Sequence, residues 1–301
     1  CLDTNQAFEG GITSEKALLD IVMKDDVGER DYFRHLWVYL VLKLSRTTPD
    51  ERIQVRNGAI ITTFSMIESF LSENTLLETL YDVVLSPVIL QMKASDPILS
   101  MSLQDQKDWM ESFTNVVNGI TKLLLRQIEM CSSSVKELTK LLTGTVRYFI
   151  FLANLDYNWT ELDQQIFRSY YDILQAFSSC DSTLPNDLRE ILYEPWSKVK
   201  INYNFNNGSL YQSSLCSLVD CFPVSLFIFK PIMTPAKFEK MLLILNSCIR
   251  YPILVDSRSD DKKCTKLQKS ILDNLSTVNF DEFNGQFAMY ESLLIQQLIL
   301  I

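Results

Sequence analysis

Two apolar patterns in close succession decide the fold: HLWVYLVLKLS at residues 35–45 and DERIQVRNGAIITTFSMI at residues 50–67. In both patterns apolar side chains recur every three to four residues, which is the period of one face of an α-helix. They predict helices over residues 31–45 and 51–72, paired as a helical hairpin. The predicted core-facing side chains are Phe33, Leu36, Trp37, Leu40, Val41 and Leu44 in the first helix, and Ile53, Val55, Ala59, Ile60, Phe64, Ile67 and Leu71 in the second.

The turn between these helices reads Thr47-Thr48-Pro49-Asp50. Its proline ends the first helix, and its side-chain oxygens are expected to cap the start of the second. Ala59 is small enough to let the two helix axes approach each other. Arg56 is expected to pair with an acidic group of the turn.

The same helical period continues along the chain. Further helices are predicted over residues 76–92, 104–131, 135–155, 159–177, 186–198, 209–221, 236–249, 262–275 and 286–300. Only 8 glycines and 9 prolines occur in 301 residues, so the tight turns that a many-stranded sheet needs are scarce. Amphipathic helices in such a series must stack to bury their apolar faces. The predicted fold class is all-α, a HEAT/armadillo-like α-solenoid of paired antiparallel helices, with a four-helix bundle as the rival arrangement.

The helical pattern also sets the expected domain organisation. Residues 1–30 are predicted to form a flexible or partly helical lead-in, and residues 31–301 a single helical-repeat domain. Polar stretches near residues 93–103 and 202–208 are the expected points of any subdivision. The chain opens at Cys1 without an initiator methionine or a targeting pattern, which predicts a piece of a longer protein.

Charge and hydropathy exclude two environments. The net charge of −9 and the pI near 4.8 repel the phosphate backbone, so nucleic acid is not an expected partner. No apolar run is expected to reach the roughly 20 residues that span a bilayer. The longest candidate, residues 222–233, is interrupted by Pro223, Lys230 and Pro231.

The cysteines indicate the redox compartment. They number seven, an odd count at unrelated spacings: Cys1, Cys131, Cys180, Cys216, Cys221, Cys248 and Cys264. This pattern predicts free thiols in a reducing, cytoplasmic environment. The glycosylation sequons at Asn158, Asn207 and Asn274 would matter only in a secreted protein and are expected to be unused.

Residues that carry chemistry are scarce in this sequence. His35 is the single histidine, and neither a cysteine nor a carboxylate stands at ligand spacing on its face of the helix. Cys216 and Cys221 are expected on opposite sides of a helix-hairpin end, as packing residues. Gly10-Gly11 has no preceding strand and no following Lys-Ser/Thr, so no phosphate-binding loop is predicted. We therefore predict no catalytic, cofactor-binding or metal-binding residues, no cofactor, no small-molecule substrate and no enzyme activity.

Two surface features leave alternatives open. The basic side of the helix over residues 262–275, formed by Lys262, Lys263, Lys266 and Lys269, is either a solvated face or a contact with an anionic membrane. A group of aromatic residues is either core or a partner-binding patch. Its members are Tyr148, Phe149, Phe151, Tyr157, Trp159, Phe167, Tyr170 and Tyr171.

Three stretches carry a resemblance to known families. Residues 35–45, followed by Asp50-Glu-Arg-Ile-Gln-Val-Arg56, Ala59 and Phe64, resemble one HEAT-type repeat. With LYDVVLSPVIL at residues 80–90 and WMESFTNVVNGITKL at residues 109–123, the chain is similar to the region downstream of the Sec-seven domain in large Arf exchange factors. Within that superfamily it resembles the monensin-sensitivity scaffolds of the Golgi and endosomes, which lack the exchange domain. The usual Asp-Pro-Arg-Pro-like turn is replaced here by residues 48–52, and Gly58 stands where a larger helix former is common.

The resemblance implies a function that the residue pattern does not supply. It implies a cytosolic, non-catalytic scaffold, held peripherally on trans-Golgi or endosomal membranes and acting in traffic between endosomes and the Golgi. A Dopey-type protein, a phospholipid flippase and an Arf-like GTPase are the implied partners. No exchange residues carry over, because no matching motif occurs in these 301 residues. The alternatives are a regulatory segment of a large Arf exchange factor, a generic HEAT-repeat adaptor and a membrane-surface module.

Overall fold

The computed structural model describes residues 29–70, 101–130, 135–155, 160–179, 184–201, 208–249, 265–276 and 292. These residues form helices and turns, with no strand among them, which confirms the predicted all-α class over the described ranges. The helices are α1 (Glu29–Ser45), α2 (Ile53–Phe70), α3 (Leu103–Met130), α4 (Val135–Ala153), α5 (Thr160–Ser178), α6 (Asn186–Lys198), α7 (Gly208–Phe229), α8 (Pro235–Ile249) and α9 (Lys266–Ser276), with a 3₁₀ turn (Lys230–Ile232) after α7. The predicted lead-in and the helices predicted over residues 76–92 and 286–300 lie outside the described residues.

The chain divides into two compact units, Cys1–Gly144 and Thr145–Ile301. Each has its own buried apolar side chains. In the first unit α1 packs against α2, and α2 packs along α3. In the second unit α7 packs along α5 and contacts α6, α8 and α9.

The hairpin of α1 and α2 differs in detail from its prediction. Its buried positions on α1 are Val38, Val41, Leu42 and Ser45, whereas Leu40, predicted to face the core, is 52% exposed. The predicted stripe was right at Val41 and wrong at Leu40, because almost every residue from Leu36 to Leu44 is apolar and the pattern did not fix which face is buried. The hydroxyls of Thr47 and Thr48 do not cap α2. They donate to Leu44 O and Ser45 O at the end of α1, and the same two carbonyls accept the backbone N–H groups of Thr47 and Thr48.

Helices α2 and α3 run parallel. Arg56 bonds to Ser112, 56 residues later, and Asn57 to Glu111, 54 residues later, near the start of both helices. At the other end Arg126 bonds to the carbonyl of Glu68, 58 residues earlier. A nearly constant separation along both helices requires that they point the same way.

A second parallel pair, α5 and α7, repeats this spacing in the other unit. The Ser214 hydroxyl donates to Thr160 O, and the Cys221 thiol contacts Phe167 O, each 54 residues away. Helix α6 lies between them in the chain and runs antiparallel to α7. Trp196 near the end of α6 bonds to Ser225, whereas Arg189 near its start bonds to Ile228, which lies later in α7. The order is therefore a helix, an antiparallel helix and a helix parallel to the first.

Helix α7 continues eight residues beyond the predicted end at Cys221 and passes through Pro223. A proline inside a helix has no N–H, so the carbonyl four residues earlier, that of Val219, loses its partner. The Asn274 side chain of α9 donates to this carbonyl at 3.3 Å. The prediction that Cys216 and Cys221 flank a hairpin end is thus wrong, because both lie in this continuous helix.

Two helices begin with reciprocal side-chain caps. At the start of α3 the Ser102 hydroxyl accepts the N–H of Asp105 and donates to its carboxylate. Before α9 the Thr265 hydroxyl accepts the N–H of Gln268, and the Gln268 side-chain oxygen accepts the N–H of Thr265. Both arrangements satisfy N–H groups that have no carbonyl partner in the first turn.

Candidate functional site

A buried arginine joins α2 to the turn that precedes it and to α3. Arg56 is 1% exposed, and its Nη1 donates to Asp50 O at 2.7 Å and to Glu51 O at 3.1 Å. Its Nε donates to the Ser112 hydroxyl of α3 at 2.7 Å. One side chain thereby fixes the turn and the helix pair.

The guanidinium of Arg56 also lies over the ring of Trp109, with 4.0 Å between Cζ and the ring centroid. Burial lowers the pKa of Arg56, and the carboxylates of Asp108, Asp50 and Glu111 oppose that effect. An arginine stays protonated under these conditions. The cation is therefore held by an aromatic face and neutral acceptors, with the acids at longer range.

The predicted pairing of Arg56 with an acidic group of the turn is replaced by bonds to backbone carbonyls. The Asp50 carboxylate instead binds Arg52, whose Nε and Nη2 donate to it at 3.0 and 2.9 Å. These bonds and the backbone N–H of Arg52 lower the pKa of Asp50 to about 2. Arg52 of the turn and Arg56 of α2 thus bind different acceptors of that turn.

A chain of polar side chains continues from Arg56 across the α2–α3 interface. The Ser112 hydroxyl donates to Asn57 Oδ1 at 2.6 Å, and Asn57 Nδ2 donates to Glu111 Oε1 at 2.9 Å. At the far end of α2, Arg126 donates to Glu68 O, and Lys122 pairs with the Glu68 carboxylate at 2.7 Å. Polar contacts at both ends therefore set the register of α2 on α3.

The second unit uses buried polar groups in the same way. Tyr170 of α5 donates to Leu192 O of α6 at 2.6 Å, and Trp196 Nε1 of α6 donates to the Ser225 hydroxyl of α7 at 2.8 Å. Arg189 is 4% exposed and donates to the carbonyls of Ile228 and Leu184. These bonds join three successive helices, and sequence reasoning missed all of them.

Lys237, in the first turn of α8, connects that helix to α6. Its Nζ pairs with the Glu190 carboxylate, donates to Ile232 O at 3.2 Å and lies 5.3 Å from the centroid of the Tyr193 ring. The Tyr193 hydroxyl in turn donates to Lys237 O at 3.0 Å. Burial, with a contribution from Glu190, raises the pKa of Tyr193 to about 12, so its hydroxyl stays a donor.

The described cysteines are placed as packing residues. Cys216, Cys221 and Cys248 are buried, and each has a free thiol. Burial raises the pKa of all three thiols, and Asp220 adds to the effect at Cys221. A thiol with a raised pKa carries little thiolate and is a poor nucleophile.

Titratable groups do not converge within the described ranges. No group of three or more His, Cys, Asp or Glu side chains is placed there to hold a metal ion. His35 belongs to α1, but its side chain lies outside the described part. Asp163, half-buried in the first turn of α5, has its pKa raised to about 7 by desolvation.

The aromatic group of the second unit is largely core. Tyr148, Phe149, Phe167 and Tyr170 are each at most 3% exposed, whereas Phe151 and Tyr171 are half-buried. Tyr157 and Trp159 lie outside the described residues. Of the predicted basic side, Lys266 and Lys269 are exposed on α9 and the other two lysines are not described.

One described helix is long and apolar enough to cross a membrane. This stretch, Gln212–Ile232, covers most of α7 and the following turn, and more than half of it is buried against the rest of the chain. The prediction that no run reaches this length was wrong, because it treated Pro223 as an interruption, whereas α7 runs through that proline. Its packing along α5 is that of a core helix.

The outer face of α2 is uncharged. It consists of the exposed residues Gln54, Gly58, Ile61, Thr62 and Ser65, with Ile61 57% exposed. The buried side chains of Arg56 and Phe64 hold α2 in place, so the residues of its outer face have fixed positions. An uncharged surface of this kind is suited to noncovalent binding of a partner and not to catalysis.

Comparison with known proteins finds a distant relative. The chain is 25% identical over 275 residues to Protein MON2 of Saccharomyces cerevisiae, a match that covers 87% of this chain and 16% of MON2. The chain thus spans about a sixth of the length of the curated relative it matches. No family model and no solved structure matches. The similarity to MON2 therefore extends over nearly all of this chain and over a small part of that protein.

Proposed function

We propose that this chain is a non-catalytic HEAT/armadillo-like α-solenoid that acts as a scaffold in membrane traffic between endosomes and the Golgi. The observation that carries the proposal is the repeated parallel pairing of helices, 54 to 58 residues apart for α2 with α3 and 54 residues apart for α5 with α7. Alternating antiparallel helices bring every second helix parallel, which is the stacking pattern of helical repeats. The match to MON2 over 87% of the chain supports the trafficking role that the resemblance implies.

The mechanism is presentation of a rigid surface. The buried side chains of Arg56 and Arg189 donate hydrogen bonds to backbone carbonyls next to their helices, and these bonds fix the positions of the helices. The exposed faces then hold their side chains at constant spacing, which lowers the entropic cost of docking a partner. Chemistry on membrane lipids or nucleotides belongs to the bound proteins.

Partners and location follow from the resemblance. A Dopey-type protein, an Arf-like GTPase and a phospholipid flippase are the proposed partners. The proposed place is the cytoplasmic surface of trans-Golgi or endosomal membranes, with peripheral attachment. The buried free thiols are compatible with a reducing compartment.

A binding measurement on the purified 301-residue chain tests the scaffold role. The labelled chain is titrated with the Dopey-type protein, with flippase in detergent, and with the Arf-like GTPase in its GTP-bound and GDP-bound forms. We expect saturable binding to at least one partner and no acceleration of nucleotide exchange. Absence of saturable binding to all of them would overturn the proposal, whereas faster exchange would favour the exchange-factor alternative.

Two exposed apolar positions supply variants that separate surface effects from unfolding. Ile61 and Leu243, one in each unit, are 57% and 47% exposed, so Ile61→Asp and Leu243→Asp are expected to keep the unfolding midpoint. Phe64→Asp, at a 6% exposed position, is the control in which binding is lost through unfolding. Weaker binding in one exposed variant, with an unchanged midpoint, assigns the contact to that unit.

The membrane-surface alternative rests on α9. Lys266 and Lys269 are exposed there, and Leu272 is 49% exposed. Flotation with anionic liposomes compares the wild-type chain with a variant in which Lys262, Lys263, Lys266 and Lys269 are changed to Glu. Binding that this change abolishes supports direct membrane contact, and flotation of neither protein refutes it.

A further inference from the structure

The segment that opens α8 carries an exposed threonine in the order Thr234-Pro235-Ala236-Lys237. Thr234 precedes the first residue of the helix, and its hydroxyl accepts the N–H of Lys237 at 3.3 Å. Its carbonyl accepts the N–H of Phe238 at 2.9 Å. Thr234 is therefore the N-cap of α8, with proline at the first helical position.

We propose that Thr234 is a phosphorylation site for a proline-directed serine/threonine kinase of the cyclin-dependent class. Such kinases select a proline directly after the acceptor and a basic residue at the third position, and Pro235 and Lys237 supply both. The Thr234 hydroxyl oxygen attacks the γ-phosphorus of ATP and the bond to the ADP oxygen breaks. The hydroxyl proton passes to the kinase, and the products are phosphothreonine and ADP.

The local structure leaves this hydroxyl open to a kinase. Thr234 is exposed, and the preceding Met233 is extended, with φ −67° and ψ 131°. A residue before proline also favours extended backbone, the form in which kinases bind their substrates. In the bond from the Lys237 N–H the Thr234 hydroxyl is the acceptor, so its own proton is not needed for the cap. For the kinase to bind Lys237, this side chain, which is 21% exposed, has to leave Glu190 and Ile232 O.

The chain holds a second Thr-Pro pair that serves as an internal comparison. Thr48 precedes Pro49, but it is 0% exposed and its hydroxyl donates to Ser45 O at 2.7 Å. The residue at its third position is Glu51, which has the wrong charge. Thr48 is therefore not expected to be a substrate, because its hydroxyl is buried and Glu51 has the wrong charge. Unfolding removes the first obstacle but not the second.

A phosphate on Thr234 would change the partners of Lys237. It would place a charge of about −1.5 to −2 at the N-terminus of α8, where charge-assisted bonds from helix N–H groups favour it. The Lys237 ammonium now pairs with Glu190 and Ile232 O, and the phosphate competes for it. Phosphorylation would thus strengthen the start of α8 and loosen its link to α6.

The test treats the folded 301-residue chain with a purified cyclin-dependent kinase and radiolabelled ATP, and maps the product by mass spectrometry. We expect phosphate on Thr234 and none on Thr48. Thr234→Asn keeps a capping oxygen but removes the acceptor, so it is expected to fold and to lose the label at residue 234. Thr234→Ser keeps both functions and is expected to retain it.

Each contrary result has a definite meaning. An unlabelled Thr234 in the folded chain, with label appearing on Thr234 only after denaturation, overturns the claim of accessibility. Equal label on Thr48 and Thr234 in the folded chain overturns the selectivity argument. If Lys237→Ala is labelled at the wild-type rate and keeps its unfolding midpoint, the claim that the kinase recognises Lys237 is overturned. The assay does not depend on the scaffold proposal, since it needs no trafficking partner.

Discussion

The ring of Phe64 lies directly against the backbone of Gly119, so that a methyl group on Gly119 would come within 2.4 Å of Phe64 Cδ2. A residue larger than glycine fits at position 119 only if that ring moves. Ala59, expected to let α1 and α2 approach each other, is buried. The glycine that restricts residue size in this contact is therefore Gly119 of α3.

Two glycine substitutions are therefore expected to have opposite effects. Gly119→Ala forces the Phe64 ring to move, which is expected to lower the free energy of unfolding by about 1–3 kcal/mol. Gly58→Ala adds a methyl group with nothing within 4 Å, and its helix preference is expected to raise that free energy by about 0.5–1 kcal/mol. Urea unfolding of both variants checks the pair. Equal effects of the same sign would show that the Phe64 contact does not restrict α3.

Loss of Arg56 is expected to destabilise the first unit. Arg56→Ala leaves buried acceptors at Asp50 O and Ser112 without their donor and removes the stack on Trp109, a cost of about 2–4 kcal/mol. Arg56→Lys is expected to recover only part of this, because an ammonium cannot reproduce the planar donor pattern. Arg52→Ala, which changes an exposed arginine of the same turn, serves as the control and is expected to cost less. The measurement is chemical unfolding, and a wild-type midpoint for Arg56→Lys would contradict the argument.

The bond from Asn274 to Val219 O is expected to depend on Pro223. Asn274→Ala leaves that carbonyl without this donor, at a cost of about 1–2 kcal/mol. In a Pro223→Ala background the restored N–H can reach Val219 O, so the same asparagine change is expected to cost much less. A double-mutant cycle measures the difference. Additive effects would show that α9 does not compensate for the proline.

Asp163 is expected to make stability fall as the pH rises. Its folded-state pKa of about 7 is above the usual 3.8, so the folded chain holds the proton more tightly than the unfolded chain. The loss of folding free energy caused by ionising Asp163 is absent below pH 4 and grows up to pH 7. Above pH 7 it is constant, on the order of 1–3 kcal/mol for a half-buried carboxyl. Asp163→Asn is thus expected to raise the unfolding midpoint at pH 8 and to lose this advantage at pH 4.

Asp50 provides the control of opposite sign for that titration. Because its pKa is lowered to about 2, its contribution is present above pH 4 and is lost as the pH falls toward 2. Asp50→Asn is therefore expected to lower the midpoint at neutral pH and to have little effect near pH 2. A parallel response of the two variants to pH would show that the environment of Asp163 is not the cause.

The sequence predicts helix existence well and helix orientation unevenly. On α3 seven apolar residues at helical spacing are all buried, because polar and charged side chains mark the opposite face: Trp109, Phe113, Val116, Val117, Ile120, Leu123 and Leu124. On α1 the apolar residues surround the helix, so Leu40 was placed inward although it is exposed. Single-helix periodicity fixes a face only when polar residues mark the opposite one.

The polar contacts that position the helices were beyond sequence reasoning. Arg56 could be singled out from its repeat-like setting, but its acceptors are backbone carbonyls and Ser112, 56 residues later in the chain. Arg189 had one usable signal, an arginine between the buried Leu188 and Leu192, which points to a bonded interior cation. Pro223 misled the prediction of the end of α7, since its missing N–H is offset by a residue from another helix.

The length and apolar character of α7 have a consequence for synthesis of the chain. When α7 leaves the ribosome, its parallel neighbour α5 has already been made, whereas α9 follows several seconds later at about 5–20 residues per second. The face of α7 that packs on α5 can therefore be covered at once, and the face that meets α9 stays open for that interval. Chaperone demand during translation is expected to peak there, and a stalled chain ending before α9 is the species most prone to aggregate.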